Sequence, residues 1–186
     1  MSIKYAILGF LSWTPMTGYD LKKQFEESGT FYWSGNNNQI YKALVELHEA
    51  GLVTKEVQHQ ESLPSRKIYT VTEPGLAELR QWLLTPPELP QRRHPFLVQL
   101  AWADLLTPAE LDGLLAQYEE EVHTKWLMVR EQLQRAVDWP QRTARERRLW
   151  QLIGENELAF YAGELAWVRE VRQGKIVGTQ GNSEEL

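Results

Sequence analysis

The chain of 186 residues contains no cysteine. That absence excludes a disulfide framework, a cysteine-ligated zinc site and a thiol nucleophile, and it suits a reducing compartment. Long apolar runs are missing as well, because the apolar start of the chain ends near Trp13 and is too short to span a bilayer. No small-residue cleavage pattern follows it. We therefore expect a cytoplasmic protein without a membrane partner.

Catalytic motifs are also missing. The sequence has neither a glycine-rich phosphate loop nor a nucleophile elbow. Its four histidines are not paired at metal-ligand spacing; they are His48, His59, His94 and His123. The sequence therefore predicts no catalytic residue, no metal ligand and no cofactor, and we do not expect an enzyme.

Positive charge is scarce. The chain holds 20 Lys and Arg against 25 Asp and Glu, a net charge of −5. Neither half is basic. Residues 1–90 hold 8 basic and 10 acidic residues, and residues 91–186 hold 12 basic and 15 acidic residues. Net charge governs non-specific association, whereas specific DNA binding needs only a local basic surface. This charge balance argues against a protein that coats nucleic acid without sequence preference, and it is compatible with a protein that binds a specific DNA sequence.

Three helices are predicted at the start of the chain. The first is apolar and covers residues 2–12, and Thr17 and Asp20 form a capping box for the second. The third follows an Asn triplet at 36–38 and ends before Gly51, a residue type that favours helix ends. Its inner face carries apolar residues at helical spacing, namely Ile40, Leu44 and Leu47.

Two strands and a further helix follow. Residues 52–58 alternate as in a strand, residues 67–72 form a β-branched run, and the polar stretch between them is too long for a tight turn. Thr72 is suited to cap a helix over residues 73–84. Three helices followed by strand, extended loop and strand is the order of a winged helix-turn-helix.

The second half of the chain is predicted to be helical. Residues 95–106 form one segment, and a capping box at Thr107 and Glu110 opens a long helix that continues to Val137. A last helix runs from about Arg142 to Arg172 and is apolar around much of its circumference. Such a helix must bury more than one face, which a domain of this size cannot easily do alone and a second copy of the chain would allow.

The predicted fold class is mainly α with a small β-hairpin wing. A winged helix-turn-helix DNA-binding domain covers residues 1–85, and a proline-rich linker covers residues 86–90. A long-helix dimerisation domain covers residues 91–173, and a disordered tail covers residues 174–186.

Short motifs follow one another in order through the first 85 residues. They are Leu8-Gly9, Met16 to Leu21, Phe31 to Ser34, Gln39 to Leu44, Ala50 to Val53, Arg66 to Tyr69 and Thr72 to Gly75. On these motifs the chain resembles the PadR family of transcriptional regulators, and residues 95–97 and 106–111 are similar to the helical domain of its longer-tailed branch. The resemblance implies a dimeric repressor with a C-terminal dimer interface, and in some relatives an aromatic-lined dimer cavity binds small planar effectors. The Asn triplet departs from the family, so base preference is not carried over.

The start of the third helix holds the first candidate DNA-binding residues. Winged helices usually place this helix in the major groove, where Asn and Gln can pair with adenine. Asn37, Asn38 and Gln39 are therefore candidates for base contacts. The alternative is that the Asn run merely caps the helix and fills a turn.

Four further residues are candidates for contacts with the DNA backbone. Tyr41 and Lys42 lie one helical turn further on, and their hydroxyl and ammonium groups are ordinary phosphate ligands. Tyr41 fits the protein core equally well. Arg66 and Lys67 lie at the return of the wing, where the alternative is a solvated charge pair.

Aromatic residues are concentrated in the last two helices. Five of them are candidates for a dimer interface or an effector cavity: Trp126, Trp150, Phe160, Tyr161 and Trp167. Packing is the simpler explanation, because aromatic side chains bury large areas, and a cavity for a small aromatic effector is the other.

The expected function is sequence-specific regulation of transcription. We expect a repressor that binds an inverted-repeat operator in double-stranded DNA as a homodimer and is released by a small-molecule effector. The alternative is a winged-helix module that binds other proteins and not DNA.

Overall fold

The computed structural model of the protein describes residues 3–27, 37–58, 65–89, 93–134 and 142–175. They belong to two compact units, residues 1–89 and residues 90–186, which are treated separately below. The fold is mainly helical with one small antiparallel sheet, which confirms the predicted fold class. None of the helices in these ranges has the length and apolar character that crossing a membrane requires.

The first unit has the element order of a winged helix. Its described elements are α1 (Ile3–Leu11), β1 (Met16–Thr17), α2 (Gly18–Glu27), α3 (Asn37–Glu49), β2 (Val53–Gln58), β3 (Arg66–Val71) and α4 (Glu73–Leu83). The sheet has the order β1-β3-β2, and both pairings are antiparallel. The strand β1 was not predicted, because two residues are too few to display the alternation that identifies a strand. Residues 59–64 of the predicted wing loop lie outside the described residues.

The apolar faces of α1, α2 and α3 meet in one core. Its fully buried side chains include Ile7, Leu8, Leu21, Ile40, Leu44, Leu47 and Val53. The members from α3 are the residues that the helical spacing predicted to face inward. Because this face of α3 is buried, its opposite face is turned away from the core.

Local hydrogen bonds determine where α2 and α4 begin. The backbone N–H of Thr17 donates to Asp20 Oδ2 at 3.0 Å, and the N–H of Asp20 donates to Thr17 Oγ1 at 3.1 Å. This reciprocal pair is the predicted capping box. At α4 the backbone N–H of Gly75 donates to Thr72 Oγ1 at 3.1 Å, which confirms Thr72 as the cap.

The end of α3 is a left-handed turn at Gly51, whose φ is 71°. The N–H of Gly51 donates to the His48 carbonyl at 3.0 Å, and the N–H of Leu52 donates to the Leu47 carbonyl at 2.9 Å. These two bonds satisfy carbonyls that the helix end leaves open, and glycine adopts the turn without a Cβ clash. The turn leads the chain directly from α3 into β2, so that helix and wing are neighbours.

The second unit consists of α5 (Pro95–Ala101), a 3-10 turn (Ala103–Leu105), α6 (Pro108–Gln134), α7 (Ala144–Glu170) and a π-helical turn (Val171–Lys175). The prediction of one helical segment over residues 95–106 was wrong. The α-helix ends at Trp102, whose φ of −110° and ψ of 12° are not helical. Residues 176–186 of the predicted tail lie outside the described residues.

The two long helices α6 and α7 run antiparallel. Each has 27 residues and is therefore about 40 Å long. Their direction follows from contacts at both ends, because Asp112 near the start of α6 bonds to Arg172, and Leu133 near its end packs on Gly154. The core between them, which also includes a residue of α5, consists of Phe96, Leu115, Val122, Val129, Tyr161, Leu165 and Val168.

Polar contacts hold the same helices together. Glu119 of α6 accepts hydrogen bonds from Arg169 at 2.8 Å and from Arg172 at 2.6 Å. These guanidinium groups, Arg169 first, hold the pKa of the Glu119 carboxyl below its usual value. Glu164 of α7 accepts a hydrogen bond from the Tyr118 hydroxyl at 2.8 Å and lies 3.0 Å from His94 Nε2. These hydrogen bonds and ion pairs thus join α6 to α7 within one protomer.

Candidate nucleic-acid interface

The first two turns of α3 carry the residues that the sequence singled out for DNA contact. Asn37 is the first residue of the helix. Asn38, Gln39, Tyr41 and Lys42 follow it and are all exposed. The structure therefore brings these five residues together at the start of one helix, and the last four of them lie on the side away from the core.

Lys42 contributes the positive charge on this face of α3. Its side chain is 80% exposed, and its Nζ lies 3.9 Å from Glu46 Oε1 one turn further along α3. An exposed ion pair at that distance contributes little, because solvent screens it and both side chains must be ordered. The ammonium group can therefore exchange this partner for a phosphate at small cost.

Tyr41 packs across the first turn of α2. A Cβ atom added to Gly18 would lie 2.5 Å from Tyr41 Cε1, so the ring occupies the space that a side chain at residue 18 would need. Burial raises the pKa of Tyr69 on β3, and the neighbouring Tyr41 phenol raises it further. Tyr41 is nevertheless 50% exposed. Both predicted roles, packing and contact with an outside partner, are compatible with this position.

The register of the wing separates the two basic residues predicted at its return. Arg66 is opposite Gln58, and Lys67 is opposite Val57. Successive residues of a strand point to opposite faces of the sheet, so Lys67 shares a face with Tyr69 and Arg66 does not. Tyr69 is buried beside Tyr41 of α3. Lys67 therefore lies on the α3 side of the wing, and Arg66 lies on the other side; both are exposed.

Two further exposed residues belong to this surface and were not predicted. Tyr19 on the first turn of α2 is 68% exposed, and Val45 on α3 is 52% exposed. Val45 is three residues after Lys42 and seven after Asn38, which places all three on one stripe of the helix. The helical period could have identified Val45, but an apolar side chain carries none of the polar groups that indicate a DNA contact.

Acidic residues limit the basic part of this surface. Glu46 and Glu49 are exposed on the second half of α3, and Glu56 is exposed on β2. The basic side chains near them are Lys42, Lys55, Arg66 and Lys67, all exposed. Across the described residues no three His, Asp or Glu side chains form a group that could hold a metal ion. On α3 and the described strands of the wing, the positive charge is thus carried by Lys42, Lys55, Arg66 and Lys67.

The five aromatic residues predicted for a dimer interface or effector cavity have different environments. Tyr161 is buried in the core of the second unit, and Trp126 and Trp167 are packed against that core. Trp150 is half-buried, and Phe160 is 44% exposed. Within one protomer these five residues are therefore divided between the core and the surface, and their role in a dimer interface or effector cavity stays a prediction.

An apolar face of α7 remains uncovered. Its large exposed side chains are Leu149, Leu152, Ile153 and Phe160. The small residues at Ala159, Ala162, Gly163 and Ala166 are exposed as well. Contiguous apolar surface of this kind marks an interaction site in most proteins.

Comparison with known proteins supports the interpretation of the first unit as a DNA-binding winged helix. The sequence profile described as "Transcriptional regulator PadR-like family" matches residues 7–81, and the profile described as "Virulence activator alpha C-term" matches residues 92–174. The negative transcriptional regulator PadR of Bacillus subtilis is 32% identical over 113 residues, which are 60% of this chain and 62% of the relative. The match thus spans less than two thirds of that relative's length.

Two crystal structures of Bacillus subtilis PadR have the same fold. The complex with operator DNA has a TM-score of 0.79 at 24% identity and covers 91% of this chain and 96% of that one. The complex with p-coumaric acid has a TM-score of 0.72 at 24% identity, with coverage of 91% and 93%. The first unit has the winged-helix geometry of these structures, and residues 7–81 of this chain match the PadR-like family of transcriptional regulators.

Proposed function

We propose that this protein is a transcriptional repressor that binds a specific DNA sequence by inserting α3 into the major groove. The observation that carries the proposal is the outward polar face of α3, which includes Asn38 and Gln39 and is flanked by Lys67 of the wing. A helix of this kind fits the major groove, and the family that residues 7–81 match consists of transcriptional regulators. Action in the cytoplasm is part of the proposal.

Each candidate residue has a defined role in this proposal. Asn37, Asn38 and Gln39 read base edges, because an amide can donate and accept toward adenine at the same time. Tyr41 and Lys42 bind phosphates beside the groove, and Lys67 binds the backbone from the wing, where Arg66 on the other face of the strand makes a weaker contact. Backbone contacts position the protein, and base contacts supply the specificity.

Replacing Tyr41 by phenylalanine separates its two roles. The substitution keeps the ring on Gly18 and removes only the hydroxyl, so the thermal unfolding temperature should not change. If the hydroxyl donates to a charged phosphate, the affinity of the dimer for DNA should fall about a hundredfold, since the dimer loses two such bonds and each contributes roughly 1.5 kcal/mol. Fluorescence anisotropy with a labelled duplex measures this change. Unchanged affinity would assign Tyr41 to packing alone.

The protein is proposed to act as a homodimer through the second unit. The uncovered apolar face of α7 is the surface that supports this proposal, because a second copy would bury it. Two-fold symmetry then presents two copies of α3 to an inverted repeat, with half-sites about 34 Å apart, one turn of DNA. In this proposal residues 1–85 are the DNA-binding domain and residues 91–173 are the dimerisation domain.

A small aromatic effector is proposed to release the DNA. Support comes from the similar protein that was crystallised with p-coumaric acid and from the aromatic residues of α6 and α7. Such an effector must bind one arrangement of the dimer more tightly than the other, because a ligand with equal affinity for both shifts nothing.

Selection of duplexes from a random pool tests the proposed function and identifies the operator in the same experiment. The purified full chain should enrich an inverted repeat, and a gel-shift titration should give tighter binding to that duplex than to a shuffled duplex of equal composition. Added p-coumaric acid, as the probe for an effector, should weaken the complex. No enrichment and no shift would contradict DNA binding and favour the winged-helix module that binds proteins.

A further inference from the structure

Val45 is an apolar residue on the polar face of α3. It is 52% exposed and shares a stripe of the helix with Asn38 and Lys42, at spacings of seven and three residues. The buried face of α3 is formed by other residues, namely Ile40, Ala43, Leu44 and Leu47. Packing among the described residues of the first unit (3–27, 37–58 and 65–89) therefore does not account for an apolar side chain at this position.

Local helix stability does not account for Val45 either. Valine is a poorer helix former than alanine, lysine or glutamate, because its branched Cβ restricts the side chain against the preceding turn. Apart from Tyr41, one turn earlier, the neighbours of Val45 on the outward face are polar or charged, which is typical of a helix surface in water. A β-branched apolar residue at the centre of this face is explained best by an apolar group on the partner.

The major groove offers one apolar group, the C5 methyl of thymine. We propose that Val45 is a specificity-determining residue that packs on a thymine methyl group when α3 occupies the groove. This proposal rests on the proposed function, since it requires α3 to bind duplex DNA.

The geometry of α3 gives the proposed contact a position in the operator. Seven residues separate Asn38 from Val45, which is about 10 Å along the helix axis. At about 3.4 Å per base pair, the thymine lies within about three base pairs of the base that Asn38 reads. Inverted repetition places the same pair of positions in both half-sites.

Uracil substitution isolates the methyl group, because uracil pairs like thymine and lacks only the C5 methyl. Each thymine of one half-site in the selected duplex is replaced by uracil in turn, and the dissociation constant is measured for each duplex. For the wild-type chain, one position should weaken binding about three- to fivefold, the value expected for one buried methyl group. For Val45→Ala, the uracil and thymine duplexes should bind equally at that position.

Leu76→Ala is the matched control, since Leu76 is an exposed apolar residue of the same unit but lies on α4. It should retain the full effect of uracil. Equal sensitivity of the wild type and Val45→Ala at every thymine, or no sensitivity in the wild type, would overturn the role of Val45 while DNA binding itself stands. Failure of the wild type to bind any duplex would overturn both proposals.

Discussion

Replacing Lys42 and Lys67 together by alanine is expected to lower the affinity for the selected duplex by roughly two to three orders of magnitude. Both residues are exposed, and the register of the wing puts Lys67 on the face shared with Tyr69, next to α3. A dimer carries each lysine twice, so the double substitution removes four phosphate contacts. At about 1 kcal/mol for each contact, the loss is about 4 kcal/mol.

The salt dependence is the more specific measurement. Each phosphate contact contributes about −0.9 to the slope of log K against log salt concentration, so the slope should become shallower by about 3.6. Titrations at several salt concentrations measure this difference directly. Arg66→Ala alone should change the slope less than Lys67→Ala, because Arg66 lies on the other face of the strand.

The matched control removes the same charge from the second unit. Lys125 and Arg130 are both exposed on α6, and their double replacement by alanine changes the net charge equally. Affinity and slope should then stay near those of the wild type. If both double variants weaken binding alike, net charge and not the surface formed by α3 and the wing controls the interaction.

Introducing charge on the apolar face of α7 is expected to break the dimer. Ile153 and Phe160 are exposed within one protomer and are seven residues apart on the same stripe. Glutamate at both positions would place unpaired carboxylates in the proposed interface, and burying such charges costs several kcal/mol. We expect the dimer dissociation constant to rise by at least about a thousandfold, which corresponds to about 4 kcal/mol.

Light scattering after size-exclusion chromatography measures this effect. The wild type should have near twice the chain mass of 21.7 kDa, and Ile153→Glu with Phe160→Glu should have the chain mass at micromolar concentration. Gln117→Glu with Gln151→Glu adds the same charge at exposed positions of the two helices and should remain dimeric. Helix content by circular dichroism should not change, because the substituted side chains are exposed in the protomer.

Loss of the dimer should also weaken DNA binding. A monomer presents one copy of α3, so its affinity for the inverted repeat should fall by about a hundredfold or more. If the double glutamate variant retains the wild-type mass, the proposed interface on α7 is wrong. If it is monomeric and binds DNA with unchanged affinity, dimerisation is separate from operator recognition.

The predictions from sequence that the structure confirmed depend on short-range signals. The capping box of Thr17 and Asp20 and the glycine end of α3 at Gly51 involve residues within a few positions of each other. Their hydrogen bonds satisfy the open groups of a helix end wherever the helix finally packs. The inward face of α3 was also predictable, because the helical period alone relates Ile40 to Leu44.

One feature that the sequence did not predict depends on residues far apart in the chain. Tyr41 has its position because Gly18 leaves room for its ring, and nothing in the local pattern relates these two residues. Packing between distant elements determined the position of Tyr41. The end of the helix that starts at Pro95 was not predicted either, because it lies at Ala101 within an apolar stretch that has no helix-breaking residue.

The sequence by itself determined the order of the longer helices and of β2 and β3, the ends of several helices, and the helix that carries the polar face. Those properties follow from helical and strand periods and from hydrogen bonds between near neighbours. Only the tertiary structure decided which candidate residues share a surface. It placed Lys67 on the face of β3 that carries Tyr69 and Arg66 on the opposite face, added Val45 to the outward face of α3, and divided the aromatic residues between core and surface. The physical reason is that side-chain direction depends on strand register and on packing between distant segments, which local sequence patterns do not specify.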